Sequence, residues 1–281
     1  MLGHKLNQVL GEKFDIWTTV RGSFEKYEPF QIFQKHKTVE NIDVENLTGI
    51  EKIIVNLRPE VIINAVGIIK QLPSAKNVIK TLTVNSIFPH HLAEIAGQIK
   101  ARLITISTDC VFNGKKGRYI ETDVPDANDL YGKSKQLGEV TFDNCLTIRT
   151  SIIGREIFTA HSLVEWFLSN RGKSVKGYTK AVYSGFPTLI LAEIIGDIIE
   201  KHPFLQGLYH VSSDPINKYD LLSLVNEAYR ADVKIEPFDD FEIDRSLDST
   251  GFRNITGFQP LSWRDMITKM ASDNAFYSKL K

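Results

Sequence analysis

What most restricts the folds open to this chain is the spacing of its near-continuous apolar runs. Residues 60–66 (Glu-Val-Ile-Ile-Asn-Ala-Val), 102–107 (Arg-Leu-Ile-Thr-Ile-Ser) and 146–149 (Leu-Thr-Ile-Arg) are short and rich in β-branched residues. They lack the strict alternation of a strand with one wet face, so they read as strands covered on both faces. Segments of helical period lie between them. Leu2 to Leu10 has apolar residues at 2, 6, 9 and 10, and Leu47, Ile50, Ile53, Ile54 and Leu57 recur at three to four. A longer helical stretch covers 78–99 with an interruption at Pro89, and another covers 130–142. Strands separated by helices form βαβ units, and these wind into an α/β, Rossmann-like, doubly wound parallel sheet. A further short strand is expected at 15–20, ending at Arg21-Gly22.

Beyond residue 150 the pattern loosens. Helices are expected at 162–168, 189–199 and 221–229, with a strand at 208–211. The division is therefore a sheet domain, 1–150, and a smaller C-terminal lobe, 151–281, part of which returns to the sheet. Lys+Arg and Asp+Glu both total 34, so no basic surplus remains for a nucleic acid. No apolar run reaches the ~18 residues of a membrane span; the longest, 188–199, is broken by Glu193 and Asp197. Two cysteines, Cys110 and Cys145, make no disulfide framework and suit a reducing compartment. The expectation is a cytoplasmic globular protein, with neither nucleic acid nor membrane as partner and with a homodimer allowed.

Three segments fall at strand ends, where open α/β sheets bind ligands. They are Ser107-Thr108-Asp109, Tyr131-Gly132-Lys133-Ser134-Lys135 and Asn64-Ala65-Val66-Gly67. Tyr131 and Lys135 share one face of a helix, one turn apart. A free phenol, with a pKa of about 10, exchanges protons poorly at neutral pH. A neighbouring ammonium favours the phenolate and would bring that value down. Thr108 brings a hydroxyl to the same substrate oxygen. Tyr-x-x-x-Lys alone carries little weight, because Tyr277 to Lys281 repeats it in what reads as a frayed tail. Order carries more: a buried strand, Ser-Thr-Asp, a loop, then the Tyr/Lys helix.

That order resembles the extended short-chain dehydrogenase/reductase family. Within it the resemblance is to dTDP-4-dehydrorhamnose reductases and related sugar-nucleotide reductases of polysaccharide biosynthesis. It rests on Ser107-Thr-Asp-Cys-Val-Phe112, Glu121-Thr-Asp123, the Tyr131–Lys135 segment and Leu146-Thr-Ile-Arg-Thr-Ser151. Later segments extend it: Gly185-Phe-Pro-Thr188, Tyr209-His-Val-Ser212, Asp244-Arg-Ser-Leu-Asp-Ser249 and Leu261-Ser-Trp263. The resemblance implies an NAD(P)-binding domain over 1–150 and a substrate lobe over 151–281. It implies NADPH-dependent reduction of a nucleotide-linked 4-keto-6-deoxy sugar. Tyr131 becomes the proton donor, Lys135 its modulator and a ribose contact, and Thr108 the group that polarises the carbonyl. Asn64, Ala65, Val66 and Gly67 line the cofactor, with Asn85 and Ser107 on the same side. Thr108, Asp109, Cys110, Ser151, Thr188 and Arg245 surround the substrate.

Cys110 stands where the resembled reductases have Tyr and related dehydratases have an acidic Glu, which argues against water loss. Two alternatives remain: an epimerase or dehydratase of the superfamily, or a non-catalytic subunit similar to the regulatory subunit of methionine adenosyltransferase. Arg21 and Ser23 follow the second strand of the fold where an acid would select NAD, so NADP(H) is preferred and NAD(H) allowed. Asp43 and Val44 would contact adenine. Met1-Leu2-Gly3 resembles the end of a Gly-x-x-Gly-x-x-Gly loop, with Leu2 and Gly3 beside the cofactor. The loop's earlier glycines and the first strand are not in the sequence. On this reading Met1 is an internal methionine, and cofactor binding by the 281 residues is weak unless another segment fills the gap. No His/Cys/Asp spacing suggests a metal site. His90 and His91 point to different helix faces, and Lys115-Lys116 reads as a solvated turn.

Overall fold

The three apolar runs become neighbouring parallel strands in a computed structural model, which describes residues 1–278. These strands are β3 (Val61–Asn64), β4 (Arg102–Thr108) and β5 (Cys145–Thr150), and β9 (Gly207–His210) joins β5 from the C-terminal lobe. Helices cover both faces because successive side chains on a strand point to opposite sides. On β4, Leu103 enters a core with α2 (Leu47–Leu57) and α4 (Phe88–Ile99), built on Ile50, Phe88 and Leu92. Its neighbour Ile104 enters the larger core with α1 (Leu2–Leu10) and α7 (Thr188–Lys201), with Leu6, Leu146, Ile148 and Ile195.

The sheet is divided. β1 (Thr18–Thr19) and β2 (Thr38–Val39) pair only with each other, and β3 pairs only with β4. The strand expected at 15–20 shrinks to two residues. Val61, Ile62 and Ile63 are half-buried rather than covered on both sides as their sequence led one to expect. With no described strand hydrogen-bonded to its other edge, β3 has a protein ladder on one side only.

The helix expected over 78–99 is three pieces: α3 (Val78–Leu82), a wide π-type turn (Thr83–Ile87) and α4. The break precedes Pro89, which sits in the first turn of α4, where a missing N–H costs nothing. α5 (Leu130–Leu137) is shorter than expected. Asp129 caps it by accepting from the Gly132 N–H at 2.9 Å, and Gly138 ends it. A Cβ at Gly138 would lie 1.9 Å from the Asn85 carbonyl oxygen, so the chain must turn there against the π-turn.

The C-terminal lobe adds a three-stranded sheet that the apolar pattern does not reveal. β7 (Ser174–Tyr183) lies between β10 (Ile216–Asn217) and the edge strand β11 (Lys234–Asp244). The short pair β6 (Ile152–Ile153) and β8 (Phe186–Pro187) links this lobe to the end of β5. α6 (Leu163–Leu168) and α8 (Lys218–Tyr229) match the expected helices, while α9 (Thr250–Thr256) and α10 (Trp263–Ser272) were not foreseen. No helix among the described residues is long and apolar enough to cross a membrane.

Candidate active site

β4 delivers Thr108 to the C-terminal end of the sheet, and a tight 3-10 turn, Asp109–Val111, follows at once. The Thr108 hydroxyl accepts from the Cys110 N–H and donates to Asp109 Oδ1, both at 3.1 Å. α5 then lies flush on this turn. A Cβ at Gly132 would fall 2.3 Å from the Cys110 carbonyl oxygen, so glycine beside Tyr131 permits the approach. Tyr131 thereby meets the Thr108 hydroxyl, with Cys110, Asp109 and Asp129 around it. The Lys70 ammonium sits 5.6 Å from the Tyr131 ring centre and pairs with Asp129 at 2.7 Å. Lys135, one turn on, is buried and donates to the Ile106 carbonyl oxygen at 2.7 Å.

The electrostatics depart from the sequence expectation. Burial pushes the Tyr131 phenol above its ordinary value, Cys110 and Asp109 add to the rise, and the Thr108 hydrogen bond opposes it. The expected depression by Lys135 is absent, because its ammonium is turned to the β4 backbone. Burial lowers Lys135 to about 8, and the charge of Glu139 raises it. Asp109 is buried, which raises its carboxyl, while Arg245 and hydrogen bonds from Cys110, Thr108 and Ser151 hold it down. The Cys110 thiol rises to about 12 through burial and the Asp109 charge, so it stays protonated and is no nucleophile.

Thr108, Asp109, Cys110, Tyr131, Ser151 and Arg245 are therefore brought together at the end of β4. Thr188 does not join their hydrogen bonds; it opens α7, where its hydroxyl packs against Gly154. Tyr183, at the end of β7, was missed. Its buried hydroxyl has no hydrogen-bond partner among the described residues, and burial and the Asp109 charge raise its phenol. The sequence cue was its position two residues before the Gly185-Phe-Pro-Thr188 segment.

On the other side of β4 the residues are less gathered. Asn64 is buried; its Oδ1 accepts from the Val66 N–H at 3.1 Å, and its Nδ2 has no partner among the described residues. Ala65, Val66 and Gly67 form an exposed ledge beyond it. An orphaned amide beside open backbone fits part of a dinucleotide. Asn85 is fully buried and spends its amide on Ile68 N, Ile68 O and Ser134 Oγ, so it braces that ledge rather than facing the cleft. Ser107 likewise gives its hydroxyl to Glu139 at 2.7 Å. Arg21 is exposed past the end of β1, free to meet an anion. Ser23 hydrogen-bonds Glu25, and Asp43 Oδ1 accepts from the Glu45 N–H, which leaves both less available. Val44 packs against the α2–α4 core. Leu2 is a core residue. Gly3 is exposed, and a Cβ there would meet nothing within 4 Å, so no close contact among the described residues requires glycine at this position.

Three further expectations need correction or completion. Tyr277 is no frayed residue: it is buried, and its hydroxyl is 2.6 Å from His4 Nε2. Lys281 lies outside the described residues. His90 and His91 meet the carbonyls of Leu137 and Leu47 respectively, and Lys116 pairs with Asp123 in its turn.

A cavity of about 510 Å³ opens in the C-terminal lobe, lined by Gln71, His161, Trp166, Lys176, Tyr178 and Lys218 among others. The Lys218 ammonium lies 5.7 Å from the Trp166 ring centre and 5.3 Å from that of Tyr178, and burial lowers its pKa. Gln71 adjoins Lys70, so the cavity begins one residue from the group over Tyr131.

With this geometry in hand, comparison with known proteins is informative. The family model described as RmlD substrate binding domain matches residues 24–275. A dTDP-4-dehydrorhamnose reductase of Aggregatibacter actinomycetemcomitans is 30% identical over 201 residues, covering 66% of this chain and 67% of the relative. Methionine adenosyltransferase 2 subunit beta of Mus musculus is 26% identical over 234 residues, covering 76% and 65%. The crystal structure of a hypothetical dTDP-4-dehydrorhamnose reductase from Sulfolobus tokodaii superposes with a TM-score of 0.76 at 27% identity, over 93% of this chain and 94% of that one.

Proposed function

Because the chain belongs to the RmlD substrate-binding domain family, we propose that it is an NADPH-dependent reductase of a nucleotide-linked 4-keto-6-deoxy sugar. The observation that carries this reading is the meeting of Thr108 and Tyr131 at the end of β4, with Lys135 one turn behind. When bound, the nicotinamide supplies the hydride. Tyr131, kept protonated by burial, donates its proton to the oxygen of the reduced carbon. Thr108 shares the hydrogen bond before and after the transfer. The Lys135 ammonium, held on the Ile106 carbonyl and so no direct partner of the phenol, meets the ribose of the bound cofactor. Asn64 and the 65–67 ledge hold the cofactor's nicotinamide half, and Arg21 favours a 2′-phosphate. The cavity beside Trp166 and Tyr178 takes the nucleotide end, its rings stacking on a base and Lys218 meeting the diphosphate.

Lys135 is charged below about pH 8 and loses its charge above it. Turnover should therefore fall on the alkaline side of that value. The direct test is NADPH oxidation with a dTDP-linked 4-keto-6-deoxy sugar, with analysis of the product. Stoichiometric NADPH loss with a 4-hydroxy sugar product supports the proposal. Isomerised or dehydrated product without net NADPH loss would replace it by an epimerase or dehydratase. Inertness toward every keto-sugar nucleotide, together with stable capture of a synthetase subunit, would favour a regulatory role.

A further inference from the structure

Behind the groups that face substrate, a row of polar side chains crosses the sheet out of solvent. Ser107, Arg149 and His210 occupy directly opposed positions on β4, β5 and β9. Glu139, just past the end of α5, reaches into this row. Its Oε1 accepts from Ser107 Oγ and Arg149 Nε, and its Oε2 from Arg149 Nη2, all at 2.7 Å. The Arg149 and Glu139 side chains are only 5% and 8% exposed. His210 completes the row. With Nδ1 assigned as donor to the Tyr119 carbonyl oxygen at 2.9 Å, Nε2 is left to accept from Arg149 Nη1 at 3.2 Å. Burial and the Arg149 charge lower His210 to about 4, so the ring is neutral at physiological pH.

A buried Arg–Glu pair is weak evidence for stability, since desolvation offsets much of the attraction. Its placement here points to the chemistry. Lys135 and Glu139 are one turn apart in sequence and engage consecutive residues of β4: Lys135 the Ile106 carbonyl, Glu139 the Ser107 hydroxyl. The next residue on β4 is Thr108. The two contacts therefore fix the register of α5 against the strand that carries Tyr131's hydrogen-bond partner.

The elements packed on α5 offer few competing charges. The turn after β4 brings Asp109 and Cys110, and α5 itself carries Tyr131 and exposed Lys133. The π-turn contributes only the neutral Asn85 and Ser86. Lys80 on α3 pairs with Glu45, Lys76 is exposed, and Arg102 is tied to the Ile198 and Leu205 carbonyls at the far end of β4. Among all of these, Glu139 is the charge that acts on Lys135.

We infer that Glu139 is a positioning residue: clamped by Arg149 and Ser107, its carboxylate keeps the buried Lys135 charged and holds α5 in register for Tyr131 to meet Thr108. The inference takes the catalytic assignment of Lys135 from the reductase reading, but its first test does not need turnover. The pH dependence of Lys135 acylation by an amine-reactive ester, read by mass spectrometry, reports the charge directly. In the parent the midpoint should lie near 8, and in Glu139→Gln it should fall by about one pH unit. Glu139→Asp, which keeps the charge, should restore most of the shift. An unmoved midpoint in folded Glu139→Gln overturns the inference, whatever the enzyme reduces. If the single change strands Arg149 and prevents folding, Glu139→Gln/Arg149→Met removes both charges together and must still show a fall, smaller than the single variant's because the Arg149 cation, which opposes the Lys135 charge, is lost as well. Where NADPH oxidation is measurable, the alkaline limb of kcat/KM should move with the acylation midpoint. A loss equal at every pH would mark Glu139 as structural only. Failure of the reductase reading alone would instead leave the acylation shift intact while no keto sugar is reduced.

Discussion

The two flanks of β4 are built differently. Toward β5 the ladder continues: β5 has a strand on each side and all six of its residues are buried, β9 closes that edge, and most polar groups at the strand ends are hydrogen-bonded to one another. Toward β3 and the β1–β2 pair, the ladder stops. Three of the four residues of β3 are half-exposed, Asn64 keeps an unpaired amide, and Arg21 and Gly3 stand in the open. The catalytic flank is thus organised before any ligand arrives, whereas the flank assigned to the cofactor has several groups with capacity left over. Pre-organised groups act on the transition state without first being ordered. Changes on the two flanks should therefore have different signatures, in turnover on one and in binding on the other.

The largest contrast is expected at Tyr131. Tyr131→Phe removes one hydroxyl and keeps the ring, so turnover should fall by roughly 10²- to 10⁴-fold, the range for losing a general acid, without loss of fold. Parent-level NADPH oxidation by the variant would remove Tyr131 from the mechanism. Tyr277→Phe is the control. It deletes the contact to His4, so it should cost about 1 kcal/mol of stability and leave turnover unchanged.

Next comes packing. Ile148 on β5 is 0% exposed, so Ile148→Ala should cost about 2–5 kcal/mol in a denaturant melt. Ile62 on β3 is half-buried with one strand neighbour, so Ile62→Ala should cost roughly 1 kcal/mol. Equal losses would mean that β3 is covered in solution by something the described residues do not supply, and the contrast between flanks would disappear.

How far the sequence reveals this molecule follows the same division. The β4–turn–α5 path is contiguous, so the sequence of strand, Ser107-Thr108-Asp109 and Tyr131/Lys135 helix was legible from apolar period and motif order, while the roles given to these residues came from the resemblance. The end of α5 was not, because Gly138 stops the helix through a contact with Asn85, which is distant in sequence. β7 and β11 escaped because their solvent faces carry many charges and Pro237 interrupts β11, as an edge strand tolerates. Tyr183 was lost with β7. The Ser107–Arg149–His210 row needs strand register, which no local pattern contains. Leu2, Gly3 and Asn85 were placed by resemblance, and here Leu2 lies in the core, Gly3 is exposed and Asn85 spends its amide on Ile68 and Ser134.

The smallest effect should come from the open flank. Arg21 is exposed at the end of a two-residue strand, so its guanidinium is hydrated and is not held by a tight neighbouring shell. A charge-assisted contact from such a group to a 2′-phosphate is screened by solvent and salt, which limits its worth. Arg21→Ala should therefore raise the KM for NADPH by roughly three- to tenfold and leave that for NADH unchanged. The kcat with either cofactor should stay near the parent value, because Tyr131, Thr108 and Lys135 lie on the other flank. The penalty should shrink as ionic strength rises, since salt already weakens the contact in the parent. A fall in kcat would show that Arg21 reaches the catalytic flank, and an equal rise in KM for both cofactors would show that it does not read the 2′-phosphate.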